Sequence, residues 1–314
     1  MTVDERILKP EEKASFALRS LYDAHGYRQY KMSKFEEYDF YVKNKDFLIS
    51  DHVITFTDTN GRLMALKPDV TLSIIRSTKH TPGKVQKVYY SENVYRVSKG
   101  TRRFQEIPQT GLECIGDLTE DDIAEVVRLA AKSLLALSPD AVLDLSHLGV
   151  LHALLDGAVP DNETAAKLVR AFGEKNAHEL VSLCAAAGID GETSSLLNSL
   201  IGICGAPEET LPRLHSLLDG SPAAPALAEL EKTVSRLDAV SANAVRIDFS
   251  VVNDPRYYNG IVVKGFIEGI PGSVLSGGQY DRLMRRMHRS DGAIGFAVYM
   301  DLLERLRDGG NVDG

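Results

Sequence analysis

Between residues 160 and 236 the chain carries no strand pattern. Ala- and Leu-rich helical segments follow one another there, punctuated by Gly188, Gly191, Gly205 and Gly220. The flanks read differently. "KVYYSENVYRV" and "QTGLECIG" precede this stretch; "NAVRIDFSVV", "RYYNGIVVKGFIEG" and "GSVLSGGQYDRLM" follow it, all strand-like. In "NAVRIDFSVV", Val245, Ile247, Phe249 and Val251 alternate with Arg246, Asp248 and Ser250. Such a chain is expected to be α+β: a mostly antiparallel sheet flanked by helices, with an all-helical insertion. The expected boundaries are 1–159 and 237–314 for the two parts of the sheet domain, and 160–236 for the insertion.

The first helix is expected after Pro10, with Glu11 and Glu12 suiting its dipole, a stripe of Ala14, Ala17, Leu18 and Leu21, and Gly26 as its stop. "YDFYV" and "HVITFTDTNGRLMALKP" read as a β-rich stretch, with Asn60-Gly61 predicting a type I′ hairpin turn. "DVTLSIIR" after Pro68 opens a helix, and "KVYYSENVYRV" pairs with "QTGLECIG" around the polar loop "SKGTRR". Thr119 caps a further helix with Asp122 at the capping-box position, and Ile123, Val126, Val127, Ala130 and Leu134 form its buried stripe. "AVLDLSHLGVLHALL" is ambiguous between strand and helix, and "AIGFAVYMDLLERL" predicts a strand running into a helix.

With 314 residues there is material for a large core and a second, smaller domain. A net charge of −8 argues against nonspecific nucleic-acid binding. Cys114, Cys184 and Cys204 lack CxxC spacing, which suits buried thiols in a reducing cytoplasm. The His residues show no HxxxH or HExxH, so no metal site is expected, and no cofactor. "MTVDERILKPEEK" has no apolar h-region and no run reaches membrane-spanning length, so a cytoplasmic location is expected.

Three segments place polar chemistry on sheet positions. Asp69 and Thr71 sit where a strand gives way to a helix, and capping alone would explain them. Gln109, Gly111 and Glu113 share one strand face; a solvated face would look the same, although a strand glycine gains no packing. Tyr257-Tyr258 and Gly277-Gly278 form the third group, the glycines suggesting close approach to backbone. Arg96, Lys99, Arg102 and Arg103 surround a turn, either as a solvated tip or as an anion contact, with Arg96 nearest the strand.

Taken in order, these segments resemble the catalytic core of class II histidyl-tRNA synthetases over roughly 8–156 and 243–309. "LKPDVTLSIIR" is similar to the family's Arg-Pro-Glu-Gly-Thr segment, "NVYRVSKGTRRFQEIPQTGLECIG" to motif 2, "YYNGIVV" and "SGGQYDRL" to the histidine-recognition segments, and "IGFAVYMDLLERL" to motif 3. The resemblance implies that Asp69, Thr71 and Gln109 hold the amino-acid end of histidine and that Glu113 and Tyr258 read its imidazole. Tyr257 joins them, Gly277-Gly278 line the pocket, and Gly111 leaves room for the ligand. Arg96 contacts a carboxylate or a phosphate.

The departures from that family are as informative. Adenylation needs stabilised charge on the ATP α-phosphate, and losing one preorganised donor costs ~10²–10³ in rate. Leu302 stands at the motif 3 Arg position, Tyr299 where a Gly opens the ATP site, and Asn253 at a third Arg position. Glu304-Arg305 is displaced by about one helical turn. Ser98 replaces the motif 2 Glu and Ser33 the motif 1 Pro. With nine residues after Arg305, no anticodon-binding domain is expected.

Histidine recognition without adenylation resembles the regulatory subunits of ATP phosphoribosyltransferase. These accompany a short-form catalytic subunit in the first step of histidine biosynthesis and confer feedback inhibition. The resemblance implies a noncatalytic chain with no catalytic residues. Its expected partners are L-histidine and the catalytic subunit, as a homodimer within a hetero-oligomer, with no membrane and no tRNA. The alternatives are a truncated or degenerate histidyl-tRNA synthetase that still activates histidine, or a paralogue with another ligand or none.

Overall fold

Pro10 donates no backbone hydrogen bond and suits a helix start, and α1 (Pro10–Ala24) begins on it with Glu11 and Glu12 in the first turn. Leu18 and Tyr22 are its buried residues, while Ala17 of the expected stripe faces solvent. The computed structural model describes residues 7–44, 48, 53–98, 101–159, 161–254 and 257–306. Lys99, read from sequence as part of a basic turn, lies outside them.

After the short β1 (Arg28–Gln29) and β2 (Phe35–Glu37), "YDFYV" is not a strand but helix α2 (Tyr38–Lys43). A strand would have put Tyr41 on the face of Asp39; a helix puts it beside Tyr38, three residues back, and buries it. β3 (Thr55–Thr57) and β4 (Leu63–Leu66) form the expected hairpin, completed by β2 in the order β2-β4-β3. Its turn is not type I′. Gly61 alone adopts positive φ, and Asp58 Oδ1 organises the loop by accepting from the N–H of Asn60 and Arg62 at 2.8 and 2.9 Å.

α3 (Thr71–Ser77) leads to β5 (Val85–Val97) and β6 (Phe104–Gly116), paired along their full length. α4 (Glu120–Leu137) starts on the Thr119–Asp122 capping box. β7 (Ala141–His147) then passes directly into α5 (Leu148–Leu155), so the ambiguous stretch is strand first and helix second. The next segment is α6 (Asn162–Gly173), α7 (Ala177–Ala187), α8 (Gly191–Ile201), β8 (Cys204–Gly205), α9 (Pro207–Leu218) and α10 (Ala224–Ser235). The stretch read as wholly helical thus contains one strand, too short for alternation to be visible in sequence. Cys204 within it is exposed, unlike the buried Cys114 and Cys184 and contrary to expectation.

α11 (Ala239–Asn243), β9 (Val245–Asp248), β10 (Ile261–Ile267), β11 (Leu275–Gln279), α12 (Asp281–Arg286) and β12 (Gly292–Tyr299) follow, and β12 runs into a 3-10 helix (Met300–Leu306). The main sheet has nine strands in the order β1-β5-β6-β12-β11-β10-β7-β9-β8. Its pairs are antiparallel except β1 with β5 and β7 with β9.

The two faces of this sheet are covered differently. Leu112 and Cys114 of β6 point into one apolar cluster with Val126, Val127 and Leu134 of α4. α4 approaches so closely that a Cβ on Gly265 would meet Leu134 Cδ1 at 2.6 Å. The same cluster continues through Leu168, Leu180, Leu200 and Leu230, so the helices of 160–236 share the sheet's core. β8 pairs with β9, and Arg236 of the same segment reaches Glu120 and Asp121 at 2.6 and 2.8 Å. The opposite face carries a smaller cluster with Leu72 and Ile75 of α3, Tyr90, Ile115, and Leu283 and Met284 of α12. Beside that cluster the sheet is left open.

Candidate functional site

The segment 67–71 is clipped to the sheet before it enters α3. Lys67 is fully buried, its Nζ 3.0 Å from Glu92 Oε2, and its carbonyl accepts from the N–H of Tyr95 at 2.9 Å. Arg96 Nε donates to the Pro68 carbonyl at 3.0 Å. These contacts hold Asp69 and Thr71 over the face of β6 that bears Gln109 and Glu113. The capping reading applies to Asp69, whose Oδ1 accepts from Leu72 N–H at 2.9 Å. It does not apply to Thr71, whose hydroxyl donates to Glu113 Oε1 at 2.6 Å.

Asp69, Thr71, Arg96, Gln109, Glu113, Tyr257 and Tyr258 all line one cavity of about 380 Å³. That volume lies within the range of small-ligand pockets. Gly277 and Gly278 do not line it. A Cβ on Gly277 would overlap Gly295 O and Phe296 Cβ of β12, and one on Gly278 would come within 2.5 Å of Ile261 O and 3.0 Å of Tyr258 Cδ1. They allow strands and Tyr258 to close up beneath the cavity instead. Gly111 is similar: a Cβ there would sit 2.6 Å from the Tyr90 hydroxyl, so the space goes to a cavity-lining tyrosine.

Sequence reasoning missed Gly295, Tyr90, Tyr280, Lys264 and Ser276, all of which line the cavity. Gly295 lies directly across from Glu113 in the β6–β12 pair, and a side chain there would collide with Glu113 Oε2. Tyr280 donates to that same oxygen at 2.6 Å. The signal for Gly295, a glycine inside the strand pattern "AIGFAVY", is present in the sequence.

The electrostatics follow from burial. Glu113 is 2% exposed, and desolvation raises its pKa to about 8; the hydrogen bonds from Thr71 and Tyr280 act against this, and Asp69 adds to it. Burial likewise raises Asp69, opposed by the Leu72 N–H and by Arg96. Gln109 is 4% exposed, and among the described residues its amide has no hydrogen-bond partner, so it is free to meet a ligand. Tyr257 and Tyr258 meet at a tilt of 47° with ring centroids 4.7 Å apart, and Tyr257 meets Tyr280 at 5.8 Å. The cavity therefore offers acids and hydroxyls near Asp69 and Glu113, an amide at Gln109 and aromatic walls. Such a set can hold an ammonium and a nitrogen-bearing ring.

At the other end Tyr299, opposite Gln109 in register, lines the cavity next to Arg96. Burial raises the pKa of its phenol and Arg96 opposes that rise. Leu302 packs against the helix-side core rather than into the cavity. Asn253 Nδ2 donates to the carbonyls of Val263 and Gly277 at 3.3 and 2.8 Å. Among the described residues Arg96 is the one arginine in the cavity wall; the side chains of Glu304 and Arg305 lie outside the described residues. No group of described residues could hold a metal ion, and no described helix is long and apolar enough to cross a membrane.

Residues 3–303 match the histidyl-tRNA synthetase family. Over 305 residues the chain is 30% identical to the ATP phosphoribosyltransferase regulatory subunit of Clostridium kluyveri, covering 94% of this chain and 77% of that one. It is 29% identical over 295 residues to the histidine–tRNA ligase of Methanosarcina acetivorans, covering 92% and 70%. A crystal structure from Bacillus halodurans, described as an ATP phosphoribosyltransferase regulatory subunit/histidyl-tRNA synthetase, superposes with a TM-score of 0.81. It is 27% identical, and the match covers 95% of this chain and 79% of that one.

Proposed function

This chain belongs to the histidyl-tRNA synthetase family and, within it, to the ATP phosphoribosyltransferase regulatory subunits, and we propose that it binds free L-histidine without activating it. On this reading the chain is the noncatalytic subunit of a cytoplasmic complex. A short-form ATP phosphoribosyltransferase performs the first step of histidine biosynthesis there, and this chain, as a homodimer within that complex, confers feedback inhibition by histidine. One observation carries the reading: Asp69, Thr71, Arg96, Gln109, Glu113, Tyr257 and Tyr258, from four separate stretches of sequence, converge on one cavity.

The histidine ammonium would meet Asp69, Thr71 and Gln109, and its imidazole would meet Glu113 and Tyr258. A Glu113 that titrates near pH 8 suits a ring that titrates near 6.5, because a proton held by either partner gives the pair a donor and an acceptor. The absence of activation is supported by Tyr299 in the cavity wall, Leu302 in the core and Asn253 bound to backbone. Leu302 and Asn253 stand where arginines would stabilise charge on a nucleotide phosphate, and Tyr299 fills space that the nucleotide would need.

Feedback requires histidine to favour one state of the complex over another. Reconstitution with a short-form catalytic subunit tests this. Phosphoribosyltransferase activity should depend on this chain and fall as L-histidine is added; activity indifferent to both would reject the proposal. The 29% identity to a histidine–tRNA ligase favours a second reading, a synthetase core that still activates histidine. ATP–pyrophosphate exchange separates the two, since robust histidine-dependent exchange belongs only to the second.

A further inference from the structure

Lys264 of β10 lines the cavity, is partly buried, and among the described residues its ammonium has no hydrogen-bond or ion-pair partner. The acids that act on it are engaged elsewhere: Asp144 with Arg246 at 2.8 Å and Asp248 with Lys175 at 2.8 Å. Desolvation lowers its pKa from the ordinary lysine value, and those two acids oppose the shift. Asp144 is its cross-strand neighbour but pairs with Arg246, so the ammonium has no direct partner in the cavity and gains from an incoming anion.

Its position is set by register. Gly111, Ala297, Ser276 and Lys264 form one row across β6, β12, β11 and β10, two residues along from the row Glu113, Gly295, Gly278 and Val262. The Glu113 carboxylate lies over Gly295. Two strand spacings and two residues put the Lys264 Cα about 12 Å from that of Gly295. Lys264 and Glu113 rise from the same face of the sheet and line the same cavity, a separation that suits one amino acid between ammonium and carboxylate. Asn253, where the family resemblance expects an arginine, cannot take this role with its amide N–H groups, which are bound to backbone carbonyls of β10 and β11.

We infer that Lys264 is the carboxylate-binding cation of the pocket and makes it select a free α-amino acid over an amine lacking the carboxylate. This deepens the histidine reading and rests on it. The ring would then point to Glu113, the ammonium to Asp69 and Gln109, and the carboxylate to Lys264 and Ser276.

The test is calorimetric titration of wild type, Lys264→Met and Lys264→Arg with L-histidine and with histamine, which keeps the ring and ammonium but has no carboxylate. Thermal unfolding checks that each variant is folded. Wild type should prefer L-histidine. Lys264→Met should weaken L-histidine about 10- to 100-fold, the range of a charge-assisted hydrogen bond, while histamine affinity stays put. Lys264→Arg should retain the preference. Unchanged L-histidine binding in Lys264→Met, or equal weakening of both ligands, overturns the Lys264 assignment alone. Wild type that binds neither ligand overturns the histidine reading and this assignment with it.

Discussion

Four residues apart on the same two strands, the cavity has two ends built in opposite ways. Glu113 of β6 faces Gly295 of β12, and the absent side chain leaves room for a carboxylate held by Thr71 and Tyr280. Gln109 of β6 faces Tyr299, whose ring helps close the cavity beside Arg96. On the proposed reading the first end takes the ring of a small polar ligand, and at the second Tyr299 fills space that a longer ligand such as a nucleotide would need. Chemistry along a strand does not decide this; the size of the residue facing it across the ladder does.

The largest expected effect belongs to the Glu113 end. A pocket that hydrogen-bonds both ring nitrogens should bind L-phenylalanine about 10⁴-fold more weakly than L-histidine, because Glu113 and its donors would be left buried against a ring with nothing to offer. Competition binding measures this, and similar affinities would break the distinction between the ends.

Second is the pH dependence of stability. Glu113 has a folded pKa of about 8 against 4.5 unfolded, so between those values the folded chain keeps a proton that the unfolded chain has released. Stability should therefore fall as pH rises from 4.5 to 8, by an amount on the order of 4 kcal/mol from this group. Urea unfolding of Glu113→Gln against wild type at pH 5 and 8 should show the variant gaining relative stability at the higher pH.

Third, Gly295→Ala should cost about 1–3 kcal/mol from overpacking and displace the Glu113 carboxylate. Thermal unfolding and L-histidine titration should show both losses together. Smallest is Tyr299→Phe, which removes only a hydroxyl facing Arg96 and should cost no more than about 0.5–1.5 kcal/mol. L-histidine affinity should change little, since the ammonium is expected to meet the Gln109 amide and the Tyr299 hydroxyl is turned to Arg96.

These comparisons also show what the sequence could and could not reveal. Alternation along "FQEIPQTGLECIG" places Gln109 and Glu113 on one face and Leu112 and Cys114 on the other, and the two core clusters divide that way. Capping chemistry marks α4, and composition marks the helical stretch. Partners across strands were not legible. Nothing local to residue 295 says that it lies beside 113, or that Lys264 shares a row with Gly111, because that register is fixed by pairings far apart in the chain. Gly277 and Gly278 were misread for the same reason: their crowding neighbours belong to other strands and to Tyr258. "YDFYV" misled because five residues can fit both periods, and burial of Tyr41 decided for the helix.

The most direct measurement is calorimetric titration of L-histidine into the wild-type chain and Glu113→Gln, both verified as folded. The account predicts saturable heat at one ligand per chain for wild type and its loss in Glu113→Gln. No heat from folded wild type at millimolar L-histidine, or identical binding by the two proteins, would contradict it.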